Sequence, residues 1–181
     1  MLIMRMSGHI GVAAYGVIAN TALVATAIFT GLGQGIQPLA SQCCGTSDHA
    51  GMRRLLGYTK LTVMTLSLLI FAVVFLFAGP ISQAFNHEQD AQLAEIAVYG
   101  LRVYFAGYLF AGVNIASTAL LSAVSRPGSA LLISLLRSCA LLIPAALLMS
   151  LLLGTSGVWL SFVVTEAICC VLSLVMMRRT A

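Results

Sequence analysis

Two ionisable residues lie deep inside apolar runs of this sequence. Arg137 falls in ALLISLLRSCALLIPAALLMSLLL and Glu166 in VWLSFVVTEAICCVLSLVMM. A charge at the centre of a bilayer costs several kcal/mol unless it is paired, hydrated or able to snorkel. Glu166 therefore has two readings. It is a protonatable or cation-attracting group in a transport path, or a carboxylate held by hydrogen bonds at a helix interface. Asn114 stands in a stripe of small residues, Gly107, Ala111, Asn114, Thr118 and Ser122, at steps of three and four. That stripe is either a close helix contact with Asn114 bonded to a neighbour, or a cavity wall lined by Asn114 with Tyr104 and Tyr108 beside it. Ser161, Thr165, Cys169 and Ser173 form a second stripe, read as a packing seam, and Glu166 lies next to it.

Other chemistry finds no support. The sequence has no phosphate loop and no nucleophile beside a base, so no enzymatic activity is expected. Its five cysteines include no CxxC and no His partner at metal spacing and read as small packing residues. No metal or cofactor is expected. Glu88, Asp90 and Glu95 read as a solvated acidic loop.

The elements that must position these residues follow from composition. Hydrophobic residues make up 60% of the chain and charged residues 8%, against about 25% charged in soluble domains. Mean hydropathy is +1.04. The chain reads as an all-α polytopic membrane protein, because an open strand cannot satisfy its backbone in lipid. Residues 1–181 form a single transmembrane domain with five helices, at about 10–36, 61–78, 97–124, 130–153 and 158–177. The first is expected to loosen at GLGQGIQP, residues 31–38, before a polar loop over 41–60. Pro144 is expected to kink the fourth helix, and GTSG to make the tight turn into the fifth.

Depth decides what Arg137 meets. It lies roughly 10 Å from one end of its helix and Glu166 roughly 12 Å from the opposite end of the next. In a core of about 30 Å that leaves an axial gap of roughly 8 Å. Arg137 could lean across it towards Glu166. Snorkelling to the cytoplasmic surface is the expected outcome, because it needs no partner. Arg53, Arg54, Lys60, Arg126, Arg178 and Arg179 fall on one side, which places the C-terminus in the cytoplasm and the N-terminus outside. The net charge of +4 reads as this loop bias, not as a nucleic-acid surface. An outside start with an odd helix count is expected of a chain that begins inside a longer polytopic protein.

Arg137, Pro144, the turn Gly154-x-x-Gly157-Val158-Trp159 and Glu166 together resemble the last two helices of the multidrug and toxic compound extrusion (MATE) family. VAAYGVI at 12–18 and GLGQGIQPLASQCCG at 31–45 resemble an earlier helix of that family, its G-x-x-P end and the short loop after it. The resemblance implies twelve helices in two six-helix lobes, of which this chain matches the last five. It implies an antiporter exporting organic cations in exchange for Na⁺ or H⁺. Its partners would be membrane lipid, organic-cation substrates and a missing N-terminal lobe or a second copy. Its place would be the bacterial cytoplasmic membrane. Glu166, Asn114, Arg137, Tyr104 and Tyr108 are the transport or cavity candidates. In the family's bacterial branches the coupling acids lie on helices absent here, or where this chain has Asn114 and no carboxylate, so no coupling residue carries over. A lipid-linked oligosaccharide flippase-like relative and a non-transporting membrane subunit or remnant stay open as alternatives.

Overall fold

The computed structural model describes residues 2–86 and 89–178. Glu88, Arg179 and the two residues after it lie outside the described residues. The described residues are mostly helical: Leu2–Gly45 (α1), His49–Leu76 (α2), Ala78–Phe85 (α3), Ala91–Ala106 (α4), Tyr108–Ala123 (α5), Pro127–Leu135 (α6), Leu142–Leu153 (α7) and Thr155–Arg178 (α8). One π-helical turn, Leu136–Ala140, joins α6 to α7. Four helices are long and apolar enough to cross a membrane: α1 after a break at Gly8, α2, α6 continued through α7, and α8. The α4–α5 pair, bent by 46°, makes a fifth.

α5 is the hub. It packs against α1, α2, α6 and α8, and the core gathers on it: Ile18 and Phe29 from α1, Leu101 and Phe105 from α4, Tyr108 from α5 and Trp159 from α8. Trp159 is enclosed and its ring stacks on Tyr15 at 5.9 Å. The α6–α7 segment is the outermost. Leu131, Leu135, Leu148, Leu151 and Leu152 stand exposed along it, as hydrocarbon-facing side chains do when lipid is the solvent.

Several local expectations change. α1 does not loosen at residues 31–38 but runs on through Pro38 to Gly45. Ile36 and Ala40 are buried against Leu120 of α5, and that packing outweighs the weak helix propensity of the glycines and the one hydrogen bond a proline forfeits. The polar loop over 41–60 shrinks to the turn at Thr46–Asp48, and α2 starts at His49. Asp48 is its cap, taking the Gly51 N–H at 2.8 Å. Arg53, Arg54 and Lys60 therefore ride on the first turns of a helix, not on a loop. The described part of the acidic stretch is helix and helix cap. Asp90 caps α4 by accepting the Gln92 and Leu93 N–H groups at 2.8 and 3.2 Å, and Glu95 lies within α4.

The helix expected at 97–124 is two helices that break at Gly107. A Cβ there would come within 2.5 Å of the Phe162 ring, so the bend is where α8 seats an aromatic side chain against the pair. The turn between α7 and α8 is tighter than GTSG suggests, since α8 starts at Thr155. Gly154 takes φ 64°, which favours glycine. Gly157 lies so close to the Met149 carbonyl that a Cβ would collide with backbone.

Candidate functional site: a buried polar cluster on α5, α8 and the π turn

The break expected at Pro144 appears one turn earlier, as the π turn. Proline has no N–H to give the carbonyl four residues back, and its ring crowds that carbonyl. The helix relieves the conflict by widening: the Leu141 N–H reaches back five residues to the Leu136 carbonyl at 2.9 Å. The extra residue in the turn resets the register of everything before it. Arg137 lies inside that turn.

Arg137 points inward and does not snorkel. Its Nη2 donates to Glu166 Oε1 at 2.8 Å and its Nε donates to the same oxygen at 3.1 Å. The Glu166 side chain is 2% exposed and the Arg137 side chain 20%. The expectation of an unpartnered arginine fails because a buried carboxylate is a stronger attractor than the distant surface. The widened turn also brings the guanidinium across the gap that axial distance alone had left open.

Asn114 completes the carboxylate. Its Nδ2 donates to Glu166 Oε2 at 2.7 Å and to the Glu166 main-chain carbonyl at 2.9 Å, using both amide hydrogens. Ser173 Oγ donates to Asn114 Oδ1 at 2.9 Å. Asn114 and Ser173 are fully enclosed. The cluster thus runs Arg137–Glu166–Asn114–Ser173, with both carboxylate oxygens engaged. Ser173 is the member that sequence reading assigned only to a packing seam. Its spacing of seven from Glu166, two helical turns, places the two on one face of α8.

The two tyrosines separate. Tyr108 is buried, and its hydroxyl donates to the Ala22 carbonyl at 2.8 Å and lies 2.8 Å from Thr26 Oγ1. It ties α5 to α1 and belongs to the core. Tyr104 is half-buried and stacks on Phe162 at 4.1 Å with planes 9° apart. Arg137, Glu166 and Asn114 therefore form the cluster, and Tyr104 adjoins it only through Phe162, one turn of α8 before Glu166, with Tyr108 6.4 Å further on between ring centroids. Among the described residues no group of three or more His, Cys, Asp or Glu side chains could hold a metal ion.

Known proteins resemble this chain in sequence and in fold. Residues 1–148 match the family model described as MatE. Multidrug export protein MepA of Staphylococcus saprophyticus is 25% identical over 162 residues, which is 90% of this chain and 35% of that protein. A protein named FAD transporter, from Shewanella oneidensis, is 27% identical over 168 residues, covering 91% of this chain and 37% of its own length. The solved structure of a multidrug resistance MATE family transporter in its outward-facing conformation superposes with a TM-score of 0.91 at 15% identity, covering 99% of this chain and 40% of that one. The chain thus spans little more than a third of the curated relatives it matches.

Proposed function

The chain belongs to the MatE family, and from that premise we propose that it supplies five membrane-crossing helices of a multidrug efflux transporter exporting organic cations in exchange for Na⁺ or H⁺. The observation that carries the proposal is the match to a multidrug export protein over 90% of this chain. Alternating access requires two structural units that move against each other around a site near the bilayer midplane. The missing unit would be further helices of a longer protein or a second copy of this chain. The bacterial relatives support a place in the cytoplasmic membrane, and the Lys/Arg asymmetry supports a C-terminus on the cytoplasmic side.

In this reading Glu166 is held by Arg137 and Asn114 and acts as the polar centre of a rigid lobe, with Tyr104 stacked on Phe162 one helical turn away. Cargo or coupling ion would have to compete with Arg137 for the carboxylate. A second reading, export of a flavin nucleotide, draws on the match to the FAD transporter.

The test is complementation in an efflux-deficient bacterial host. The chain alone should leave ethidium resistance unchanged. Co-expressed with the part of Multidrug export protein MepA that it does not cover, it should raise resistance, and Arg137→Ala should cancel the gain. No gain with both polypeptides co-purifying from the membrane overturns the proposal. Flavin nucleotide accumulating in the medium without dye export selects the second reading.

A further inference from the structure

At the end of the bundle opposite Asp90, a cavity of about 230 Å³ opens between the start of α2 and the ends of α5 and α8. The first two turns of α2 line it with His49, Met52, Arg53 and Leu56, at spacings of three, four and seven along one face. Leu120 of α5, Val124 just after it and Met177 of α8 close the far side. The mouth is therefore basic and the floor apolar. Asp48 is the near acid, and its carboxylate takes the Gly51 N–H. The Arg137–Glu166 pair is the one salt bridge among the described residues, so Arg53 has no acidic partner there.

We propose that this cavity binds an anionic phospholipid of the adjoining leaflet. Arg53 and His49 would hold the headgroup phosphate, and the acyl chain would lie on Leu56, Leu120 and Val124. An arginine fork matches phosphate oxygens in pairs, and His49 can donate a ring N–H to the same group. Arg54 in the first turns of α2 and Arg126 just before α6 lie at the same end of the bundle, and such basic pockets between membrane helices suit anionic headgroups. The apolar floor argues for a lipid over a free anion, because a free phosphate would leave it wet.

Native mass spectrometry of the detergent-purified chain tests this, with dioleoyl phosphatidylglycerol, dioleoyl phosphatidylcholine and inorganic phosphate as probes. The phosphatidylglycerol adduct should exceed the phosphatidylcholine adduct. Arg53→Ala should lower it about five-fold, the worth of one basic residue at a membrane surface. Arg54→Ala, next door but outside the cavity, should leave it unchanged. Val124→Phe fills the floor and should reduce the phosphatidylglycerol adduct without touching phosphate binding. Equal losses from Arg53→Ala and Arg54→Ala would mean a diffuse basic surface and overturn the site. So would equal binding of both lipids. Phosphate binding that needs Arg53, together with lipid binding indifferent to Val124→Phe, would make it a free-anion site and overturn the lipid assignment.

Discussion

Arg137 and Glu166 meet through a single carboxylate oxygen: both Nε and Nη2 of the arginine donate to Oε1, while Oε2 is left to Asn114. The carboxylate is thus divided between two elements, the π turn and α5, and α8 is held to each of them by one side chain. Removing one charge from a buried pair costs more than removing both, because the survivor keeps its desolvation penalty. Arg137→Ala should therefore destabilise the chain by about 3–5 kcal/mol. The double variant Arg137→Met with Glu166→Gln should recover most of the loss. Thermal unfolding in detergent, followed by the fluorescence of the chain's single tryptophan, Trp159, measures both. Additive losses in the double variant would show that the two residues do not act as a pair.

Asn114 gives a sharper test of the cluster. Asn114→Ala strands the Ser173 hydroxyl and one Glu166 oxygen in an enclosed site, at a cost of about 1–3 kcal/mol. Asn114→Asp keeps the size but sets a second carboxylate beside the first. It should lower the unfolding temperature further than Asn114→Ala, and Ser173→Ala should lower it least. A reversed order would place the main burden on packing instead of on hydrogen bonds.

The α7–α8 hairpin makes a prediction about backbone. Gly157→Ala forces a methyl group against the Met149 carbonyl, which overpacking would make worth about 1–3 kcal/mol. Gly128→Ala, in open space at the start of α6, should be neutral or slightly favourable. Comparing the yield of monodisperse protein for the two variants is sufficient. Equal yields would mean that the hairpin can shift to admit the methyl group.

Topology can be read by labelling. With the five native cysteines replaced by serine or alanine, a membrane-impermeant maleimide applied from outside should modify Gln92→Cys and spare Arg53→Cys. Gln92 is exposed beside the Asp90 cap and leaves that cap intact. The reverse pattern would invert the orientation that the Lys/Arg distribution implies.

What the sequence made legible was whatever lipid enforces. Long apolar runs must be helices, so the spans containing Asn114, Arg137 and Glu166 stand out from hydropathy alone. The position of Glu166 beside a small-residue seam likewise pointed it at protein. Three features stayed hidden for physical reasons. The direction of Arg137 depends on a π turn, which adds a residue to the helix and breaks the 3.6 period on which face assignments rest. The continuity of α1 through Pro38 depends on tertiary contact with Leu120, which no local propensity reports. Asp48 and Asp90 are ordinary cap residues whose signal was in plain view, but neighbouring charges made their surroundings resemble loops.

The pairing also has an electrical consequence. Opposite charges 2.8 Å apart form a short dipole with no net charge. Carrying one elementary charge through 100 mV involves about 2.3 kcal/mol of work, whereas a closed ion pair carried along the same path involves almost none. A lobe that rocks with Arg137 locked onto Glu166 is therefore electrically silent at this point. In the proposed transporter this pair would lend voltage dependence only through a transient opening of that lock, and otherwise leave it to the cargo, the coupling ion or charges elsewhere in the lobe.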